Sequence, residues 1–326
     1  MKQFAIVRRG NGFSVYLFGK KVFSWHKKPN SPRYQELQAG KHDPDFSLAD
    51  KMELVALQFE TFTGYKLNLD NPRTFNEKLQ WLKFFYHNPL MTLCADKHLV
   101  KEYVANSIGE EHVIPTIGVW DRPEQIDFAA LPDAFVLKVN WGSGQNIIVR
   151  DKSRADIPAI QKKLAKWISP KSNLYFYSFE PGYRDITPKI ICEPYIGSPA
   201  ERLTCYKIFT FAAKPHLAQV VFDDKTRGAT INYYDLSWNT LDIRQNFPNN
   251  DRVVPRPARF DQMLELAEKL ARPFPHFVRV DMFEVDGKVL FSEITFFSDN
   301  GMAPFTPAHW DKQLGELIVL EGQEER

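Results

Sequence analysis

Three charged residues sit inside two apolar runs late in the sequence. Arg279 and Asp281 lie in Phe277-Val-Arg-Val-Asp281, Glu293 lies in Phe291-Ser-Glu-Ile-Thr295, and Val285-Asp286-Gly287 separates the runs. The alternation of apolar residues on both sides reads as a β-hairpin, which places these charges in strands rather than loops. A two-residue Asp-Gly turn would pair Asp281 with Ser292 and turn Glu293 to the opposite face. A three-residue loop ending in a left-handed Gly287 would instead set Arg279 opposite Glu293 and gather Arg279, Asp281, Glu293 and Thr295 on one surface. The second register is the expectation. Two carboxylates and a guanidinium are costly to bury together unless a cation or an anionic ligand completes the set, so the chemistry is that of a metal and phosphate site.

A second candidate lies in Phe135-Val-Leu-Lys138-Val-Asn-Trp141-Gly142-Ser143-Gly144-Gln-Asn-Ile147. A lysine inside an apolar strand supplies a point charge, and the glycine loop after it can aim backbone N–H groups at phosphate. The loop lacks the Gly-Lys-Ser/Thr of a P-loop and no helix follows it directly, which disfavours that fold. Taken alone, Gly-Ser-Gly between strands is an ordinary hairpin turn, and Arg279 with Glu293 an ordinary cross-strand ion pair. Together they gain weight, because Asp281 still needs a partner.

The elements that must position these residues follow from patterning. Ser47 opens a helix running to about Phe62, Thr74-Phe-Asn-Glu77 is a capping box for a second helix, and Asp96 to Asn106 makes a third. Strands are expected at Val113–Val119, Phe135–Val139, Ile147–Val149, Ile190–Ile196, Thr204–Phe211 and His216–Phe222, with helices at Ala155–Trp167 and Asp261–Ala271. The stretch from Trp25 to Pro44, rich in Pro, Lys, His and Ser, reads as a linker. A helical front end and two α+β lobes joined near Glu193-Pro194-Tyr195 result. The expected divisions are residues 1–45, 46–110, 111–196 and 197–326.

With 326 residues, 44% hydrophobic and 25% charged, the chain has the composition of a soluble protein of two or three subdomains. Residues 1–35 carry eight Lys and Arg and no acid, leaving 34 basic against 40 acidic residues elsewhere, a net −6. That front segment, with six aromatics around a Gly10-Asn-Gly12 turn, looks like a basic hairpin. It either packs its aromatics on the body or meets anionic lipid or glycolipid, and the acidic remainder argues against nucleic acid. Cys94, Cys192 and Cys205 are too far apart for a zinc motif and fit reduced core thiols. The eight histidines show no ligand spacing. No apolar run suits a signal peptide or a membrane span, so a cytoplasmic protein with at most peripheral membrane contact is expected.

In chain order, Asp96-Lys97, Leu137-Lys138 through Gly144, Ile191-Cys-Glu193-Pro-Tyr195-Ile196, Tyr206-Lys207, Arg279-Val-Asp281 and Glu293-Ile-Thr295 resemble ATP-grasp enzymes. Pro72 to Trp81, Gly118 to Asp121 and Asp127 to Pro132 narrow the resemblance to the TupA-like ATP-grasp family, associated with bacterial cell-surface polysaccharide and teichuronopeptide synthesis. It covers roughly residues 70–318. No single motif is specific; their order and spacing are.

The resemblance implies an α+β fold whose two lobes clamp ATP. Lys138 would contact the α and β phosphates under a lid of Gly142, Ser143 and Gly144, with Lys97 as a further phosphate contact. Glu193, Tyr195 and Ile196 would lie along the adenine. Lys207 would neutralise phosphate, Asp281, Glu293 and Thr295 would hold Mg²⁺, and Arg279 would stabilise a developing acyl phosphate. Ser298, Asp299, Asn300 and Gly301 would form the acceptor pocket, turning backbone N–H groups toward a carboxylate. The implied reaction joins a carboxylate, such as a uronic acid of a surface glycan, to an amino acid or amine. Three positions depart from the pattern: Thr295 stands in place of Asn, Cys205 in place of Asp, and Trp141 in place of a lid His. A sugar kinase on the same clamp, a glycosyltransferase and a non-catalytic nucleotide-binding scaffold are the rival readings. Asp43-Pro-Asp45 has the spelling of a glycosyltransferase metal motif but falls in the proline-bearing linker.

Overall fold

The structure is a computed structural model that describes residues 29–197, 203–222, 230–252 and 254–320, and of 4–9, 12–17 and 20–26 the backbone alone. Those first segments form an antiparallel sheet of β1 (Phe4–Arg9), β2 (Gly12–Leu17) and β3 (Lys20–His26), one strand more than the expected hairpin. The cationic and aromatic surfaces expected of it, and their contact with lipid or sugar, lie outside the described residues.

The expected linker contains a helix, α1 (Pro32–Gly40). Composition hid the start signal: Ser31 Oγ accepts from the Tyr34 N–H, and Pro32 at the first turn gives up no hydrogen bond. In α2 (Leu48–Thr63), Ser47 caps the start and Gly64 closes the end at φ +86°. The Thr74–Glu77 capping box opens α3 (Phe75–Phe85) as read from the sequence. The third expected helix, Asp96 to Asn106, begins four residues later as α5 (Val100–Ile108), and an unexpected short helix, α4 (Leu90–Ala95), precedes it. Asp96 sits between them and accepts the amides of His98 and Leu99, which ends one helix and starts the next.

Of the strand expected at Val113–Val119, only β4 (Gly118–Trp120) forms. Residues 110–112 make a 3-10 turn, and Pro115 has no N–H to give a ladder. Next come β5 (Phe135–Val139), β6 (Asn146–Val149), α6 (Ile157–Trp167), a single turn α7 (Tyr175–Ser178) and β7 (Ile190–Pro194). The four strands order as β4-β7-β5-β6, and Ile160 and Leu164 of α6 pack on Phe135, Leu137 and Ile190.

The larger sheet runs β11-β10-β9-β8-β12-β13. Its members are β8 (Cys205–Phe211), β9 (Lys214–Phe222), β10 (Thr230–Tyr234), β11 (Thr240–Leu241), β12 (Phe277–Val285) and β13 (Lys288–Thr295). Between β11 and β12 runs α8 (Phe260–Ala271), whose Phe260, Met263, Ala267 and Leu270 bury against the sheet, and α9 (His309–Glu316) follows β13. A third cluster joins Leu37, Leu54, Val55 and Phe59 of α1 and α2 to Phe179 and Met302.

The β12–β13 hairpin corrects the expected register. Val285 pairs with Lys288, so the turn is the two-residue Asp286-Gly287, both left-handed at φ 51° and 71°. Met282 pairs with Phe291, yet Asp281 pairs with Glu293, which leaves Ser292 as an extra residue in a β-bulge. Arg279 therefore faces Thr295, not Glu293. The bulge supplies the one-residue shift assigned to a longer loop, so the four residues still share a face.

Candidate active site

A cavity of ≈ 660 Å³ opens between the two larger sheets. Its charged wall starts from β12. The Arg279 guanidinium grips Asp281 with two bonds, Nε to Oδ1 at 2.7 Å and Nη2 to Oδ2 at 2.8 Å. It also donates to Ser298 Oγ at 3.0 Å and Thr295 Oγ1 at 3.1 Å, and reaches Glu293 Oε1 at 3.5 Å. Lys207, opposite Asp281 on β8, adds a bond to Oδ2 at 2.5 Å. Burial and Arg279 push the Lys207 ammonium toward neutrality, but Asp281, with Glu293 behind it, outweighs them and its pKa is raised. Burial likewise opposes the Arg279 charge, and Asp281 more than restores it.

A divalent cation fits this wall only in part. The donors are all oxygen, suited to a hard ion such as Mg²⁺. Both oxygens of the fully buried Asp281 are already bonded to cationic groups, however, and Glu293 is its only acidic neighbour across the ladder. Among the described residues no group of three or more His, Cys, Asp or Glu gathers to hold a metal. The residues fit an ion that takes its remaining ligands from phosphate oxygens and water, as Mg²⁺ commonly does, and not one caged by protein alone.

The facing wall is built on β5 and β7. Lys138 Nζ bonds Glu193 Oε2, and Lys101 Nζ bonds Glu193 Oε1 at 2.7 Å, so one buried carboxylate holds two lysines. Lys101 is completed by the Ile114 carbonyl and Thr116 Oγ1, both at 2.8 Å. Burial alone would raise the Glu193 pKa; Lys138 and Lys101 outweigh it and hold the carboxyl below its usual range. Sequence reading missed Lys101, which lies in the first turn of α5. Lys97 itself bonds the Gly142 carbonyl at 2.5 Å, which ties it to the glycine loop. Trp141 does not cover the cavity: it is 3% exposed and its indole N–H bonds the Trp167 carbonyl at 3.0 Å.

At the far end of the cavity, Asp299, Asn300 and Gly301 are all left-handed, at φ 49°, 59° and 62°. The expected ring of free amides is partly spent. Asn300 N–H donates to the Phe297 carbonyl and Met302 N–H to the Asp299 carbonyl. Gln80 holds the Asn300 and Gly301 carbonyls, Lys83 holds Asn300 Oδ1 at 2.6 Å, and Asn246 holds Asp299 Oδ1 at 2.5 Å. The segment Leu174–Tyr183 closes this end, and no sequence pattern marked it.

Among the expected site residues, Lys97, Lys138, Ser143, Gly144, Glu193, Lys207, Arg279, Asp281, Glu293, Thr295, Asp299 and Asn300 line the one cavity. Gly142, Tyr195, Ile196, Ser298 and Gly301 lie outside its lining. The Tyr195 ring faces Arg150 at 5.4 Å, and Ser298 is buried under Arg279.

A sequence model of the TupA-like ATPgrasp family matches residues 77–319, three quarters of the chain. The chain belongs to the TupA-like ATP-grasp family. The α+β ATP-grasp fold expected from the sequence is the fold observed, with α1 and α2 outside the family's span. No curated protein matches the chain. Among solved structures it is similar to D-alanine–D-alanine ligase from Bacillus anthracis complexed with ATP, at 15% identity and a TM-score of 0.44 over 74% of this chain and 72% of that one. A second structure of the Bacillus anthracis ligase gives 18% identity and 0.43 over 77% and 76%. The D-alanine–D-alanine ligase from Helicobacter pylori gives 13% identity and 0.40 over 76% and 67%.

Proposed function

We propose that this ATP-grasp protein is an ATP-dependent ligase that joins a carboxylate to an amine. The observation that carries the reading is the meeting, across one cavity, of Lys207, Arg279, Asp281 and Glu293 on one sheet with Lys138 and Glu193 on the other. Such a site offers charge and position, and among the described residues its lining brings no histidine to a nucleophile, which suits phosphoryl transfer. The cavity volume also falls within the range of small-ligand sites.

In this reading Glu193, with Tyr195 and Ile196 behind it, lies along the adenine, and Lys138 reaches the α and β phosphates. Lys97 holds the loop Gly142–Gly144 over the triphosphate. Lys207 neutralises phosphate, and Arg279 is aimed at charge developing on the transferred group. Asp281 and Glu293, with Thr295 beside them, would hold Mg²⁺. When bound, such an ion would act as a Lewis acid and relieve the negative charge of the phosphates. The carboxylate attacks the γ-phosphorus and ADP leaves; the amine then displaces phosphate from the activated carboxyl. Asp299 and Asn300 border the acceptor. The family's link to surface polysaccharide suggests a uronic acid carboxyl on a glycan or its precursor, amidated by an amino acid or amine.

Incubation with ATP, Mg²⁺ and pools of uronic acids and amines, followed for ADP and a new amide mass, tests the reading. A stimulated ADP signal with an amide is expected. Consumption of a nucleotide-sugar with no stimulated ADP would overturn it, and a phosphorylated sugar without amide would make the protein a kinase.

A further inference from the structure

The acceptor end of the cavity holds a carboxylate that no part of the reading above uses. Glu180 lines it beside Ser178, Tyr183 and Asn300. The other acids of the site are engaged: Asp281 by Arg279 and Lys207, Glu193 by two lysines, Asp299 by Asn246. Among the described residues no Lys, Arg or His forms an ion pair with Glu180. The Ser178 hydroxyl lies beside it, accepting the Glu180 amide N–H at 3.4 Å and donating to the Leu174 carbonyl at 3.2 Å, and Lys83 and Arg279 act on the carboxylate through space. Lys83 is occupied by Gln80 and Asn300. Glu180 is half-buried on the cavity wall, and a carboxylate partly withdrawn from water without a counter-charge is complemented by a cationic ligand.

The backbone that carries it is held on purpose-built packing. Phe179, immediately before Glu180, is a bulky residue in the left-handed region at φ 53°. It is 3% exposed, stacks on Phe46 at 6.1 Å and meets the Tyr175 edge at 5.7 Å. Leu37, Leu54, Val55 and Phe59 complete its cluster, all from helices outside the family-matched span, and the same cluster takes Met302 on the Asn300 side. Strained residues of this kind persist where surrounding packing over-determines them, and they concentrate at functional sites.

We infer that Glu180 seats the ammonium group of the amine substrate and accepts the proton it must lose. The inference rests on the ligase reading. ATP and a carboxylate substrate are anions that Glu180 repels, whereas the amine is the cationic substrate of the reaction, and the ion-holding residues Asp281 and Glu293 lie on β12 and β13. The ammonium passes one proton to the carboxylate, and the freed nitrogen pair forms the C–N bond to the acyl carbon. The C–O bond to phosphate breaks with its pair on phosphate, which takes the second N–H proton. Burial raises the Glu180 carboxyl up to about 7 against Lys83 of α3, the Ser178 hydroxyl and Arg279 of β12, with Glu293 of β13 adding to the rise. Tyr183, raised well above its ordinary value by burial and by Glu180, stays a neutral phenol beside it.

Two measurements separate the inference from the reading beneath it. Hydroxylamine, which traps an activated carboxyl as a hydroxamate without a cationic seat, is first given to the wild-type protein with ATP, Mg²⁺ and uronic acids. No hydroxamate means the ligase reading fails, and the seat with it. Amide formation from ammonium chloride, amino acids, amino sugars and polyamines is then compared in wild type and Glu180→Gln, with thermal melting as the check on folding. Loss of a charge-assisted bond should raise the amine KM about tenfold to a hundredfold, well beyond any change in the KM for ATP. The acid limb of the amine kcat/KM profile near neutrality should disappear. An unchanged amine KM, an equal rise for ATP, or hydroxamate formation with no cationic amine accepted overturns the assignment. Glu180→Asp, which keeps the charge, should recover part of the amine affinity.

Discussion

Asp281 and Glu293 stand directly opposite each other across the β12–β13 ladder, and the single bulged residue Ser292 is what brings them there. Both belong to the proposed ion site, but their surroundings differ. The Asp281 side chain is 1% exposed and bonded to two cations, while that of Glu293 is 37% exposed. Asp281→Asn and Glu293→Gln should each lower ADP release by more than about a hundredfold. Only Asp281→Asn should also destabilise the fold, by about 3–5 kcal/mol, because it strands Arg279 and Lys207 without their counter-charge. Denaturant titrations run beside activity assays decide this, and equal stability loss in both variants would contradict it.

Glu193 offers a pH test. Its folded carboxyl lies below the usual range, so the stability it lends is complete above the unfolded value, about 4.3, and is lost as pH falls through the lower folded value. Glu193→Gln leaves Lys101 and Lys138 unpaired and should cost about 3 kcal/mol at pH 7. The gap between variant and wild type should narrow in melts taken from pH 5 to pH 3. A gap that does not change with pH would refute the assignment.

Lys97 ties the glycine loop through the Gly142 carbonyl. Lys97→Met should loosen residues 142–145, speeding proteolytic cleavage there and raising the KM for ATP about fivefold, the worth of one hydrogen bond of about 1 kcal/mol. Unchanged cleavage would show that the loop is fixed by other contacts.

Gly301 and Gly144 are both left-handed, at φ 62° and 66°, but only one is crowded. A Cβ on Gly301 would lie 2.5 Å from Gln80 Nε2 and 2.9 Å from Leu79 Cβ, whereas one on Gly144 meets nothing within 4 Å. Gly301→Ala should cost about 2–3 kcal/mol through crowding added to backbone strain, and Gly144→Ala about 1 kcal/mol through strain alone. Chemical denaturation midpoints test the order.

The charged hairpin was legible because strand alternation puts Arg279, Asp281, Glu293 and Thr295 on one face in only a few registers. The bulge was not, since Phe291-Ser-Glu293 has the same alternation with or without an extra residue, and Asp286-Gly287 pointed to the true turn. Helix α1 was hidden by composition, although Ser31-Pro32 spelled its start. Lys101 and Glu180 escaped for different reasons. One reads as a solvated helix residue until Glu193, ninety-two positions later, is folded against it; the other lies in Leu174–Tyr183, where a single helical turn gives no period to read.

The anchoring of Trp141 divides labour between the two ends of the cavity. With its indole bonded to Trp167 and Asn140 bonded to Asp96 and Thr187, the loop between these anchors and β6, which begins at Asn146, is confined to Gly142–Gln145. Four residues span at most roughly 14 Å, and a loop that must return reaches about half as far. A loop of that size can cover a phosphate group. In the ligase reading, the acceptor end is bordered by Leu174–Tyr183 and Phe297–Asn300, and these would share with the acceptor the exclusion of water from an activated carboxyl. For the ligase proposed here, loss of intermediate to hydrolysis would then depend on how well the acceptor fills its end, making futile ATP turnover a direct measure of substrate fit.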